Sequence, residues 1–135
     1  MVSFAFGCKE RRASVKMKTE LKEARKTETG YRVEKNTLII TLGSELDHHN
    51  AMEIKEQSEA YLCKYRVQHI VFDFAKTNFM DSSGIGVIMG RYKTVRGLNG
   101  SIAVANVNQR LERIFVISGL HKLVDRYQTV RDAIR

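Results

Sequence analysis

Residues 70–93 read Ile70-Val-Phe-Asp-Phe74, then Ala-Lys-Thr-Asn, then Phe79-Met-Asp81-Ser82-Ser83-Gly84-Ile-Gly-Val-Ile-Met-Gly-Arg-Tyr-Lys93. The first five residues are a short, nearly all-apolar run of the kind that forms a buried strand. An acid, two hydroxyls and a glycine follow. From about Ser83 to Arg96, Ile85, Ile88, Met89, Tyr92 and Val95 then recur at steps of three and four, which predicts a helix with those five residues facing inward. Strand, polar turn and amphipathic helix in this order are the parts of a βαβ unit. The turn sets Ser82 and Ser83 where a helix leaves its first backbone N–H groups without partners. A serine there can cap the helix or carry a phosphate, because the same amides and the helix dipole favour negative charge. Both roles are expected of Ser82.

Outward from this stretch the pattern repeats. Tyr31–Lys35 alternates like a strand, Asn36 turns the chain, and Thr37–Leu42 is a β-branched strand. Asp47-His48-His49-Asn50 is a capping cluster before a helix carrying Ala51, Ile54, Ala60, Tyr61 and Leu62. His69–Phe74 is a strand; Gly97 and Asn99-Gly100 stop the helix that follows it. Ser101–Asn106 is a further strand, and Asn108–Ser118 a helix with Leu111, Ile114, Phe115 and Ile117 inward. Gly119 ends that helix; Leu123–Arg126 is a short strand and Thr129–Arg135 a last, short helix. Alternating strands and helices predict a single α/β domain over residues 29–135. Its sheet is four- to five-stranded, mixed and mostly parallel, with about four helices packed against it.

Residues 1–28 are polar, charged and poor in large aliphatics, and are expected to be disordered or loosely helical. Met17 is a candidate natural start of translation within them. They hold eight Lys/Arg against four Asp/Glu, half of the net charge of +8, so the remainder is only mildly basic. No run of aromatics interleaved with Lys/Arg suggests a nucleic-acid surface, and none is expected. The chain has no apolar run long enough to span a membrane. Lys9, Arg11 and Arg12 follow a weak apolar patch instead of preceding it, the reverse of a secretory signal, so a cytoplasmic protein is expected. Cys8 and Cys63 form neither a metal-ligand pattern nor a disulfide framework; Cys63 is expected to be a small buried apolar residue.

Several chemistries are tempting. Gly84, Gly86 and Gly90 mimic a dinucleotide fingerprint, but seven residues separate Phe74 from Ser82 and no acid closes the next strand, so no cofactor is expected. His48 and His49 are adjacent and therefore diverge, and His69 and His121 are far off in sequence, so no metal is expected. Ser82, His48 and Asp81 could in principle form a hydrolytic triad, but no nucleophile elbow accompanies them. The plain reading of Asp81–Gly84 is an ordinary helix N-terminus. It leaves Phe79-Met80 beside an exposed turn and Gly86 and Gly90 inside a helix, features that suit a surface shaped for another protein.

Glu45-Leu-Asp-His-His49 and, some thirty residues later, the string from Phe79 to Lys93 resemble the anti-sigma factor antagonists of the STAS superfamily, most nearly the anti-sigma-F antagonists of endospore-forming bacteria. The similarity runs from about Tyr31 to the C-terminus, Ser118-Gly119-Leu120 included. It implies a non-enzymatic sporulation regulator, monomeric when free. Its partner is an anti-sigma factor that is also a serine kinase and phosphorylates Ser82; a serine phosphatase reverses this. The unmodified form binds that partner and releases the sigma factor. The likeness carries over Glu45, Asp47, His48, Asp81, Ser82, Ser83, Gly84, Ile85 and Arg91 as partner contacts. Ser44 departs from the family's usual glycine, and the last helix is shorter than usual. Alternative readings are a STAS subunit of another system (general-stress regulation or lipid transport) or, less favoured, a small nucleotide-binding or hydrolytic enzyme.

Overall fold

The computed structural model describes residues 29–134. The N-terminal extension, Cys8, the candidate start at Met17 and Arg135 lie outside the described residues. The strands are β1 (Gly30–Glu34), β2 (Thr37–Thr41), β3 (Glu45–Leu46), β4 (His69–Asp73), β5 (Phe79–Met80), β6 (Ser101–Ala105) and β7 (Asp125–Tyr127). The helices are α1 (His48–Lys64), α2 (Ser82–Arg96), α3 (Gln109–Ser118) and α4 (Val130–Ile134), with a 3₁₀ turn over Leu120–Lys122.

Five strands form one sheet in the order β1-β2-β4-β6-β7. Only β1 runs antiparallel, at the edge; β2, β4, β6 and β7 are parallel, joined by helical crossovers. The strand alternation sorts side chains onto two faces. Leu38, Ile40, Ile70, Phe72, Ile102 and Val104 point to one side, where α1, α2 and α3 cover them with Ile54, Ile88, Leu111 and Phe115. Ile39, Val71, Ala103 and Ala105 point to the other, where Val130, Ala133 and Ile134 of α4 and Tyr127 meet them. The short last helix therefore does cover its face, because small Ala103 and Ala105 let it lie close. Phe115 meets Phe74 edge to face, ring centroids 5.5 Å apart.

The antiparallel edge is fastened by aromatics. Tyr31 of β1 stacks on Tyr61 of α1 at 5.6 Å, and Tyr61 on Tyr65 at 5.7 Å. Burial, and then the nearby Glu53 charge, push the Tyr31 phenol well above its ordinary range, so it stays protonated.

Four expectations need correction. Ile117 is 85% exposed, because the α3 stripe that reaches the core is Leu111 and Phe115 with Ile114 at its margin. The inward face of α2 is rotated: Gly84, Val87, Ile88, Arg91 and Val95 are buried, while Ile85, Met89 and Tyr92 pack at its flank. The last strand begins at Asp125, since residues 120–122 are first spent on a 3₁₀ turn. Cys63 is only half-buried, at the margin of the core and not within it.

Gly100 ends the α2–β6 turn where the backbone of Gln68 passes so close that a Cβ would overlap its carbonyl. Gly100→Ala should therefore lower the free energy of unfolding by more than about 2 kcal/mol, beyond the usual centre for point substitutions. Urea unfolding reads this; a loss of a few tenths would show that the turn yields.

Candidate functional site

α1 and α2 begin side by side, and the cause is a ladder of two residues per strand. β3 and β5 pair in parallel, Glu45 opposite Phe79 and Leu46 opposite Met80. The next residues, Asp47 and Asp81, consequently stand at matching positions, and each is the N-cap of its helix. Asp47 Oδ1 accepts the Asn50 N–H at 3.2 Å. Asp81 Oδ1 accepts the Ser83 and Gly84 N–H groups at 2.8 and 3.2 Å. The two mouths are also strapped to each other: Asp81 N–H donates to the Leu46 carbonyl at 3.2 Å and Asn78 N–H to that of Ser44 at 2.8 Å. Asn50 Nδ2 donates to the Glu45 carbonyl at 2.7 Å. Below them the buried Thr77 hydroxyl donates to Gly43 at 2.8 Å.

Gly84 lets the mouths approach. A Cβ there would lie 2.6 Å from Met80 Cγ and 2.9 Å from the Leu46 carbonyl oxygen, so any side chain would wedge β3 away from α2. Gly84 is buried; the expected partner contact is an internal one.

Ser82 is the first residue of α2, not its cap; the cap is Asp81. An aspartate carboxylate takes two amides at once, so the hydroxyl beside it is left over. Ser82 is exposed, and its hydroxyl has no hydrogen-bond partner among the described residues. The Ser83 and Gly84 amides, expected to be open to a phosphate, already serve Asp81, so a phosphate on Ser82 would have to compete with that carboxylate for them.

The remaining candidates separate cleanly. Glu45, Asp47 and His48 surround the mouth of α1, with Glu45 and His48 exposed and Asp47 half-buried. Ser83 and Ile85, half-buried, flank the mouth of α2, and Phe79 projects beside it at 47% exposure. The His48 and His49 rings are tilted by 59° and their centroids lie 6.0 Å apart. Among the described residues no group of three His, Cys, Asp or Glu side chains could hold a metal ion, and no helix is long and apolar enough to cross a membrane. Arg91 is the exception to a surface role: its side chain is 3% exposed and its Nη2 donates to Glu59 Oε1 at 3.2 Å. It joins α2 to α1 from beneath.

Between the helices, downhill from Ser83, runs a groove of about 230 Å³. His48, Ala51, Met52 and Lys55 form one wall; Ser83, Gly86, Val87 and Gly90 form the other, above Arg91. Met52 is 54% exposed. Sequence reasoning missed Met52 and Lys55, although their spacing of four and seven residues from His48 places them on one helical stripe. At Gly86 and Gly90 a Cβ would meet nothing within 4 Å. Glycine inside a helix costs about 0.5–1 kcal/mol relative to alanine, and among the described residues neither packing nor positive φ requires it here.

The family described as "STAS domain" matches residues 30–133. An anti-sigma F factor antagonist of Paenibacillus polymyxa is 37% identical over 100 residues, spanning 74% of this chain and 86% of the relative. One of Lysinibacillus sphaericus is 32% identical over 88 residues, 65% of this chain and 75% of the relative. Among solved structures, the Bacillus cell fate determinant SpoIIAA in its phosphorylated form is similar at a TM-score of 0.65 and 29% identity, over 78% of this chain and 96% of that one.

Arg91→Ala should destabilise the fold by an amount approaching the about 3 kcal/mol lost when one partner of a buried ion pair is removed, lessened because Glu59 is partly solvated. Asp81→Ala should lose about 0.5–2 kcal/mol, the worth of an N-cap. Urea midpoints check both; an Arg91→Ala domain as stable as the parent would return Arg91 to the surface role.

Proposed function

The chain belongs to the STAS domain family, and on that premise we propose that it is an anti-sigma factor antagonist switched by phosphorylation of Ser82. In this reading the unmodified domain binds an anti-sigma factor that is also a serine kinase, and so frees a sigma factor of the sporulation type. The partner phosphorylates Ser82 and thereby dismisses the antagonist; a separate phosphatase restores it. The chain itself is a cytoplasmic binding protein and not an enzyme. Its relatives named as anti-sigma F factor antagonists support this, as does the similarity to a STAS protein solved in phosphorylated form.

The observation that carries the proposal is the exposed, unbonded hydroxyl of Ser82 beside a capping carboxylate. A kinase can reach it without unfolding anything. Phosphate adds about 1.5–2 negative charges. It cannot take the Ser83 and Gly84 amides unless Asp81 gives them up, so it stands in solvent, next to Asp81 and across the ladder from Asp47. In water that repulsion is small, screened within about 10 Å. Against a partner the water must leave, and burying an uncompensated charge costs several kcal/mol. At 1.4 kcal/mol per decade of affinity, a few kcal/mol weaken binding by about 100-fold or more. A modification nearly silent in the free domain is thus decisive at the interface.

Glu45, Asp47, His48, Asp81, Ser83 and Ile85 are proposed to share that interface. Gly84 and Arg91 act from inside, the first by letting the mouths close up and the second by holding the two helices together.

Ser82→Ala should fold normally, resist phosphorylation and bind the anti-sigma factor as the unmodified domain does, whereas Ser82→Asp should bind about tenfold or more weakly. Titration calorimetry with the anti-sigma factor of the same genome measures both. Kinase, ATP and peptide mass spectrometry should place one phosphate, on Ser82. Equal binding by Ser82→Asp, or phosphate elsewhere, contradicts the mechanism.

A further inference from the structure

The groove between α1 and α2 has its own work, and we infer that it receives a large apolar side chain of the partner anti-sigma factor, with a carboxylate of the same partner segment set against Lys55. This rests on the antagonist reading and adds a second, phosphate-independent anchor to it. Gly86 and Gly90 stand one turn apart on α2 and open a furrow that no side chain of the described residues fills. Gly84, two residues earlier, is demanded by Leu46 and Met80; these two are demanded by nothing among the described residues. What a side chain at either would displace is therefore whatever comes from outside.

The walls describe the occupant. Val87 is an apolar part of the α2 wall, and exposed Met52 is a flexible thioether able to mould itself to an inserted group. Arg91 is already neutralised by Glu59, which leaves Lys55 as the lining charge with no ion pair among the described residues. The lining is accordingly apolar with one positive charge, complementary to an apolar side chain beside an acid. Because Ser83 belongs to both the groove and the mouth, the same partner can occupy the two together.

The test fills the furrow without touching Ser82. Gly86→Ala, Gly90→Leu and Lys55→Glu are titrated into the anti-sigma factor of the same genome, with thermal unfolding of each. Gly86→Ala should keep or raise Tm, as alanine favours helix. Gly90→Leu should fold yet bind about tenfold or more weakly, and Lys55→Glu should weaken binding about fivefold or more at low salt, less at high salt. Each should still lose further affinity when combined with Ser82→Asp. Unchanged affinity for Gly90→Leu and Lys55→Glu, with the parent binding, overturns the groove and leaves the switch standing. A parent that binds no anti-sigma factor overturns both readings. Self-association of the free domain that Gly90→Leu abolishes gives the groove to a second copy and overturns it too.

Discussion

Everything at the functional end of this domain depends on the parallel pairing of Glu45-Leu46 with Phe79-Met80. Four residues suffice because each strand runs straight into a capping aspartate, so aligning the strands aligns the helices. Two positive helix mouths are thereby brought together, a placement that like dipoles alone would resist. Asp47 and Asp81 offset the repulsion by setting a carboxylate at each mouth. The absent side chain of Gly84 is the geometric condition, since the Leu46 carbonyl and Met80 occupy the space it vacates.

From this follows the division of labour among neighbouring residues. Asp81 is consumed by the backbone, and the Ser82 hydroxyl beside it is left exposed, free for the proposed modification. A serine cap would have been a poor switch, because phosphorylating it would have broken the helix start and spread the effect into the fold. A serine one residue later can be modified while the cap persists. The buried Arg91–Glu59 pair and the main core lie beneath α1 and α2 and support that surface from inside. The proposed switch needs such support, because an added charge excludes a partner only where the surface cannot rearrange to accommodate it.

Much of this was legible in the sequence, for identifiable reasons. The apolar runs at Thr37–Thr41, His69–Asp73 and Ser101–Ala105 are buried on both faces, and such strands announce themselves by composition. The capping clusters at residues 47–50 and 81–84 marked both helix starts to within a residue. The two-residue strands were not legible, since Glu45-Leu46 and Phe79-Met80 carry no periodicity and are strands only through each other. The likeness carried Arg91 over as a partner contact, but its side chain is buried, and its ion-pair partner Glu59 lies thirty-two residues away, where no local pattern announces it. Ile117 deceived in the opposite sense: its apolar character promised burial, but it stands two residues beyond Phe115, on the other side of α3. The internal need for Gly84, and the lack of one at Gly86 and Gly90, are visible only once Leu46 is seen to lie across α2.

The central claim is that phosphate on Ser82 acts locally, on a surface that does not move. The most direct measurement compares backbone amide resonances of the unmodified and Ser82-phosphorylated domains, with affinity for the anti-sigma factor measured on the same samples. The account predicts changes confined to residues near 45–50 and 79–86, a protected Gly84 amide in both forms, and binding lost on phosphorylation. Changes spreading through β2, β4 and β6, or binding that survives the modification, would contradict it.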